Sequence, residues 1–334
     1  MHIVFDIMEA EERALYEAAF AGHQLTFLDT AITEETVVPA DTELLSVFIA
    51  SKVPATLLEK LPQLKFITTR SMGYDHIDVK AARARGVAVA SVPSYGVRTV
   101  AEFTFALILA LSRKVYDAYD RLRSEGTTDV KDFEGFDLAG QTIGIVGTGN
   151  IGRNVGRIAK GFGMHVMLYD PHHNHAFAQE VGAHYVELDE LVMNSSIVSM
   201  HVPYMPATHH LVNEALLQKF KPGAYLINTS RGGIVDTKAL VIALTEGRLA
   251  GAGLDVVEGE RELLDEMSLL SNEHHDINQF QSLVAAHELL HMPNVILTPH
   301  IAFNTKNAKR EIVDVTVCNI KDFLDGKPQN VIPA

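Results

Sequence analysis

Thr142-Ile143-Gly144-Ile145-Val146-Gly147-Thr148-Gly149-Asn150-Ile151-Gly152 is the stretch that decides the fold. Its apolar run Ile143–Val146 reads as a buried parallel strand, because a strand covered on both faces needs no polar alternation. Gly147, Gly149 and Gly152 follow in G-x-G-x-x-G spacing, and the helical pattern NVGRIAKGFG comes next. Gly147 suits a tight turn, Gly149 lets backbone approach a phosphate, and Gly152 lets helix pack closely on strand. The helix N-terminus adds free N–H groups and a partial positive charge. A second apolar run, His165–Tyr169, ends in Asp170, 18 residues beyond Gly152. An acid there accepts bonds from the ribose hydroxyls of adenosine and repels a 2′-phosphate. The segment predicts a dinucleotide-binding βαβ unit that takes NAD rather than NADP.

Outward from this unit, short apolar runs alternate with helical patterns, which predicts an α/β protein with parallel sheets. Upstream candidate strands are Ile3–Ile7, Leu25–Leu28, Ser46–Ile49, Phe66–Thr69 and Val87–Ala90. A second series comprises Ile143–Val146, Val166–Tyr169, Ile197–His201, Ala224–Asn228, Gly251–Leu254 and Val295–Thr298. The expected architecture is two Rossmann-like or flavodoxin-like doubly wound parallel-sheet domains joined by a hinge. The glycine motif opens the second series, after a long helix spanning about Val100–Ser124. The last amphipathic helix, Thr305–Leu324, has no further strands to join and is expected to cross back to the first domain. Residues 1–99 with 300–334 are therefore expected to form a discontinuous substrate-binding domain, and 100–299 the NAD-binding domain.

Bulk properties narrow the class. The 334 residues suit two domains, with 47% apolar and 21% charged residues. A formal charge of −14 without a basic stripe argues against nucleic acid and anionic membrane partners. One cysteine, Cys318, excludes an intrachain disulfide framework and fits a reducing compartment. Its setting, IVDVTVCNI, predicts a buried structural thiol. No signal-peptide pattern opens the chain, and the longest apolar run, Phe103–Leu111, is too short to span a bilayer. A cytoplasmic enzyme is expected.

Four polar residues fall at or just beyond the C-terminal ends of candidate strands, where open α/β sheets bind ligands. Arg231 follows the run ending in Asn228-Thr229-Ser230. Asp255 follows Gly253-Leu254, Glu260 lies five residues on, and His300 closes Val295–Pro299. A single strand-end charge is commonly just solvated. Several converging on one sheet edge beside a cofactor point to chemistry.

These segments, NTSRGGIVD, GAGLDVVEGE and PNVILTPHIA, together with TRSMGYDHID and VPSYGVRTVAEF upstream, resemble the D-isomer-specific 2-hydroxyacid dehydrogenases in the same order over nearly the whole chain. The likeness is greatest to the fermentative D-lactate dehydrogenase branch. That branch shares the insertion at about Arg261–His291 and the HVPYMPATHHLVN segment. Glycerate and formate branches have a shorter connection, and the formate branch carries glutamine in place of Glu260. The resemblance implies that His300 is the proton donor, a task for a group titrating near neutrality. Glu260 would orient the imidazole, and Arg231 would bind the substrate carboxylate and polarise the keto oxygen. Backbone N–H groups of Ser71-Met72-Gly73 would hold the carboxylate from the other domain, and hinge closure would exclude water.

Cofactor contacts implied by motif are Asn150 and Ile151 at the pyrophosphate, then Val202, Pro203 and Thr208. Thr229, Ser230 and Arg231 follow from the next turn, and Asp255 from the nicotinamide side. Tyr95 and Phe303 would wall the side-chain pocket. Met72 stands where the family often has valine, which leaves the preferred keto acid open. Gly232-Gly233 departs from the common pattern and is expected only to loosen its loop. The resemblance implies a homodimer, with the Val100–Ser124 helix long enough to supply an interface. Pyruvate reduction to D-lactate leads among the activities. Other 2-keto acids, or NAD sensing by a corepressor-like binding protein, are alternatives.

His287-Glu288-Leu289-Leu290-His291 matches the zinc-hydrolase pattern H-E-x-x-H, with Glu311 20 positions beyond His291. Pro293 ends that helix at once, and the resemblance puts the segment in the insertion. No metal is expected. His172, His173 and His175 read as an exposed loop at the adenosine end.

Overall fold

The structure, a computed structural model, describes residues 1–6, 8–126, 129–259 and 277–333, the last segment by backbone alone over 277–280. Two compact units divide the chain, Met1–Tyr95 with Asn304–Ala334 and Gly96–Phe303. The chain crosses between them at 95/96 and 303/304, rather than at the expected 99/100 and 299/300. The reason is local. The helix Val97–Ser112 belongs whole to the second unit, and the turn after residue 298 is tied back to Asp255.

In the first unit, β1 (His2–Phe5), β2 (Gln24–Phe27), β3 (Leu44–Val47), β4 (Phe66–Thr69) and β5 (Ala88–Ala90) form a parallel sheet of order β2-β1-β3-β4-β5. That is the flavodoxin-like order. Period-two alternation splits the apolar residues between its faces. Val4, Leu45, Ile67 and Val89 pack on one side with Leu57 and Leu58 of α2 (Ala55–Glu59). Ile3, Phe5, Leu44 and Phe66 pack on the other with Tyr16 of α1 (Ala10–Ala19) and Val313 and Ile320 of the C-terminal helix Lys306–Leu324. Ile7, expected to end the first strand, lies outside the described residues.

The second unit holds β6 (Thr142–Val146), β7 (His165–Tyr169), β8 (His184–Tyr185), β9 (Ile197–Met200), β10 (Ala224–Asn228), β11 (Leu249–Leu254) and β12 (Val295–Leu297). All pair parallel in the order β12-β11-β10-β9-β6-β7-β8. Strand order reverses between β6 and β9, the crevice position of a Rossmann sheet. Ile143, Ile145, Val166 and Leu168 are covered by Phe105 and Ile108 of Val97–Ser112 and by Val155 and Ala159 of Asn150–Gly161. The opposite face, with Met200, Leu226 and Leu254, is covered by Leu191 of Leu188–Asn194, Leu240 and Leu244 of Thr237–Thr245, and Leu289 of Ile277–His291.

Three expectations are corrected. The long helix breaks into Val97–Ser112 and Val115–Glu125, with Lys114 left-handed at φ 53°. The Ser112 carbonyl accepts from Phe136 N–H at 2.9 Å, so it is not left for the next helical turn. Cys318 is exposed, because the C-terminal helix buries Ala308, Ile312, Val313, Thr316, Asn319 and Ile320 instead. The short strand β8 has no counterpart among the expected ones.

Candidate active site

The glycine loop follows β6 at the switch point. Gly147 has φ +96°, and a Cβ on it would lie 2.7 Å from the His201 carbonyl. Only glycine gives this turn both its conformation and its clearance. Gly149 caps the helix Asn150–Gly161, and nothing lies within 4 Å of where its Cβ would be. This open side is what close approach of a phosphate requires. Asn150 and Ile151 form the first turn behind it, with Asn150 Oδ1 accepting from Arg153 at 2.7 Å. A Cβ on Gly152 would lie 2.0 Å from the Gly147 carbonyl oxygen, so turn and helix are in direct contact.

Asp170 follows β7 and organises the turn beyond it. Its Oδ2 accepts from Thr148 N–H at 2.7 Å, and its Oδ1 from His172 N–H at 2.8 Å. The Tyr185 hydroxyl bonds Thr148 Oγ1 and accepts from Asn174 N–H, each at 2.9 Å. The Tyr185 ring stacks on His173 with centroids 4.3 Å apart. A recess of about 480 Å³ lies between Gly149, Arg153, Asp170, His172, His173 and His175. The donor set, the open glycine and the acid fit an adenosine diphosphate moiety.

At the end of β9, His201 shares a 2.8 Å hydrogen bond with Ser199 Oγ, and burial pushes its pKa down to about 3. The ring is therefore a neutral one at physiological pH. Val202 is buried and Pro203 exposed. Thr208 closes their turn by donating to the Pro203 carbonyl at 2.6 Å and accepting from Met205 N–H at 2.9 Å.

Arg231, Asp255 and His300 follow β10, β11 and β12, three adjacent strands spaced about 4.8 Å apart. Asn228, the last residue of β10, is buried and holds the first turn. Its side-chain amide donates to the Arg231 carbonyl at 2.9 Å, and its Oδ1 accepts from Ser230 Oγ at 2.7 Å. Thr229 Oγ1 is 3.0 Å from Thr104 Oγ1, and Arg231 Nη1 donates to the Ser230 carbonyl at 2.8 Å. The Asn228 carbonyl also accepts from Asp255 N–H at 2.9 Å, so β10 and β11 stay in step past their ends.

Asp255 is 1% exposed. Its carboxylate is engaged in holding the His300 turn. Oδ1 accepts from Thr298 Oγ1 at 2.6 Å and Ile301 N–H at 2.9 Å, and Oδ2 from Ala302 N–H at 2.8 Å. Burial pushes its carboxyl pKa up, and these three donors pull it back. The Asp255 carbonyl accepts from His300 N–H at 2.9 Å. His300 is thereby held left-handed at φ 54°, with its ring edge-on to Phe303 at 6.3 Å between centroids. Glu260 lies outside the described residues, as does most of the Arg261–His291 insertion.

Gly232 corrects the expectation of a loosened loop. A Cβ on it would lie 2.3 Å from the Val257 carbonyl, and one on Gly233 2.7 Å from the Tyr204 ring. Backbone and ring press on these positions. The glycines therefore tighten the Arg231 turn.

In the first unit, Ser71, Met72 and Gly73 follow β4. Ser71 Oγ donates to the Gly73 carbonyl at 2.7 Å and lies 2.5 Å from Thr69 Oγ1. Just before it, buried Arg70 pairs with Asp6 after β1 at 2.7 Å. Asp6 also accepts from Phe48 N–H and the Ser51 hydroxyl, and burial pushes its pKa up against these bonds. Tyr95 is buried at the end of this unit.

The rings of His287 and His291 lie 4.7 Å apart. Among the described residues no three His, Cys, Asp or Glu gather to hold a metal. Glu311 accepts from Ser94 Oγ at 3.0 Å in the first unit. No described helix is long and apolar enough to cross a membrane. The positioning residues Asn228, Arg70 and Asp6 escape sequence reasoning. The one signal pointing to them is a polar residue at the end of an apolar strand.

A Rossmann sheet with this glycine turn and acid, followed by arginine, aspartate and histidine at three successive strand ends, defines a nicotinamide-dependent dehydrogenase. The model of the D-isomer specific 2-hydroxyacid dehydrogenase NAD binding domain matches residues 105–302. A 2-hydroxyacid dehydrogenase homolog of Haemophilus influenzae is 39% identical over 91% of this chain and 89% of its own. The D-lactate dehydrogenase of Escherichia coli is 35% identical over 92% of this chain and 91% of its own. The D-lactate dehydrogenase from Aquifex aeolicus, solved with NAD and lactic acid, superposes with a TM-score of 0.88. Its identity is 36%, covering 97% of this chain and 96% of that one. The chain belongs to the D-isomer-specific 2-hydroxyacid dehydrogenase family and is an NAD-dependent oxidoreductase of that class.

Proposed function

We propose that this enzyme reduces a small 2-keto acid with NADH, pyruvate to D-lactate foremost, and that unit Gly96–Phe303 carries the NAD. The observation that carries the reading is the hydrogen-bonded frame Asn228–Asp255 that sets Arg231 and His300 at the ends of β10 and β12, on either side of β11. The cofactor supplies the hydride. Gly147, Gly149, Asn150 and Ile151 hold its pyrophosphate, Asp170 its ribose, and Val202, Pro203, Thr208, Thr229 and Ser230 line its path.

Arg231 binds the substrate carboxylate with its planar fork and polarises the keto oxygen. The role that the family likeness gives the N–H groups of Ser71-Met72-Gly73 is carboxylate recognition. The His300 imidazolium gives its proton to the developing alkoxide and leaves as neutral imidazole. The role that the family likeness gives Glu260 is to orient that imidazole. For Met72, Tyr95 and Phe303 the role that it gives is selection of the substrate side chain.

Support for a dimer comes from Val115, Tyr116, Tyr119 and Leu122, which are 55–61% exposed along one short helix. Such an apolar stripe fits a second copy of the chain. The exposed single cysteine fits the cytoplasm.

The test is NADH oxidation across pyruvate, 2-ketobutyrate, 2-ketoisocaproate, phenylpyruvate, glyoxylate, hydroxypyruvate and oxaloacetate, with His300→Ala alongside. Pyruvate should lead, and His300→Ala should lose at least ~10²-fold in kcat with NADH binding kept. Tight NADH binding with no substrate turned over would make the protein a sensor instead.

A further inference from the structure

His210 is left-handed at φ 48°, a conformation that side chains other than glycine rarely adopt. A glycine would occupy that turn without strain, so the imidazole itself needs an explanation. Its Nε2 is 2.7 Å from Glu258 Oε1. The other carboxylate oxygen of Glu258 accepts from Thr237 N–H at 3.2 Å and Thr237 Oγ1 at 3.0 Å. Two of these segments, those of His210 and Thr237, are also joined through backbone. His210 N–H donates to the Gly233 carbonyl at 2.9 Å, Val212 N–H to Ile234 at 3.0 Å, and Asp236 N–H to Val212 at 3.0 Å. Gly232 presses on the Val257 carbonyl and the Glu258 amide. The outer side is closed by His209, stacked on His210 at 3.9 Å, and by Tyr204, whose hydroxyl meets His209 Nδ1 at 3.2 Å.

From this we infer that His210 and Glu258 are positioning residues for keto-acid binding: their pair clamps the turn 231–237 between the 204–212 loop and the segment after β11, and so aims the Arg231 guanidinium. One of the three segments carries Arg231, and another runs on from Asp255. Asn228 fixes the Arg231 carbonyl from the sheet side. The clamp fixes the turn further along, at 233–237, so that the guanidinium is carried by a backbone anchored at both ends. A forked donor reading a planar carboxylate is sensitive to displacement, and an ångström of misplacement costs about 10²-fold. The inference rests on the role proposed for Arg231.

The test uses the full-length enzyme with His210→Gly, which removes the ring while relieving the backbone, and His210→Gln, which keeps a donor at similar reach. Glu258→Ala removes the other partner. Each is measured for kcat and KM with pyruvate, for NADH affinity by fluorescence, and for amide exchange at 232–235. His210→Gly and Glu258→Ala should lower kcat/KM for pyruvate by about 30-fold, chiefly through KM. NADH affinity should stay within about twofold, exchange at 232–235 should quicken about tenfold, and His210→Gln should restore most of the loss. Wild-type kcat/KM in His210→Gly, or equal weakening of pyruvate and NADH, would overturn the clamp. Should the wild type reduce no keto acid, the proposed function fails, and unchanged exchange at 232–235 in His210→Gly would still overturn the clamp.

Discussion

Replacing Asp255 with alanine should release the turn that carries His300. The carboxylate is 1% exposed and accepts from the Ile301 and Ala302 N–H groups and the Thr298 hydroxyl at 2.6–2.9 Å. Each buried donor left without a partner costs about 1–3 kcal/mol, so two backbone N–H groups cost about 4. Water entering the vacated space recovers part, which leaves a penalty of about 3 kcal/mol on the native turn. At 1.4 kcal/mol per tenfold, that is a loss of about 10² in the population that presents the imidazole correctly. The strain of φ 54° at His300 acts in the same direction, since a released turn relaxes to an ordinary conformation. The assay is kcat for 2-keto acid reduction, read with amide exchange at Ile301 and Ala302 and with NADH affinity. Turnover should fall about 10²-fold and both amides should lose protection, while NADH binds within about threefold of wild type. Asp255→Asn, which keeps one acceptor oxygen, should fall between the two. Full turnover in Asp255→Ala, with both amides still protected, would refute the reasoning.

His201 gives a pH dependence whose sign is fixed. Unfolded, its imidazole takes a proton near 6.5; folded, burial holds it off until about 3. Its stabilising contribution is complete above pH 6.5 and declines as pH falls, by about 2 kcal/mol at pH 5. Denaturant unfolding of wild type and His201→Gln across pH 5–8 checks this, and parallel curves would count against it. Gly232→Ala should cost about 1–3 kcal/mol in the same measurement, because its methyl group meets the Val257 carbonyl. An unshifted midpoint would mean that the contact yields freely. Asp170→Ala should weaken NADH binding at least ~10-fold and raise the relative use of NADPH, since a charged acceptor at the Thr148 turn and a repulsive charge are both removed. An unchanged preference in steady-state kinetics would detach Asp170 from cofactor selection.

Buried parallel strands were legible because their largely apolar runs, Ile143–Val146 and Ala224–Asn228 among them, have one physical explanation. The glycine turn and Asp170 were legible because spacing and chemistry constrain each other. His184–Tyr185 escaped notice since a two-residue edge strand carries no periodicity. The break at Lys114 escaped because no glycine or proline announces it, and the carbonyl that enforces it is taken by a segment more than twenty residues away. Cys318 was misplaced because the C-terminal helix buries polar Thr316 and Asn319, shifting the covered face. Asn319 is satisfied there by donating to the Ser91 carbonyl and accepting from Asn330, partners that no local pattern shows. The parts played by Asn228 and Asp255 were illegible for a related reason. In a sequence, a polar residue at a strand end looks the same whether it meets a ligand or holds the neighbouring turn.

The frame linking Asn228, Asp255 and Thr298 runs across the sheet rather than along the polymer. The separation of the guanidinium-bearing and imidazole-bearing turns is therefore dictated by strand pairing alone. Any family member that keeps these strand pairs keeps that separation, whatever the length of chain between β11 and β12. Chimeras that exchange strand-end turns between family members while keeping these pairs should keep their turnover machinery aligned.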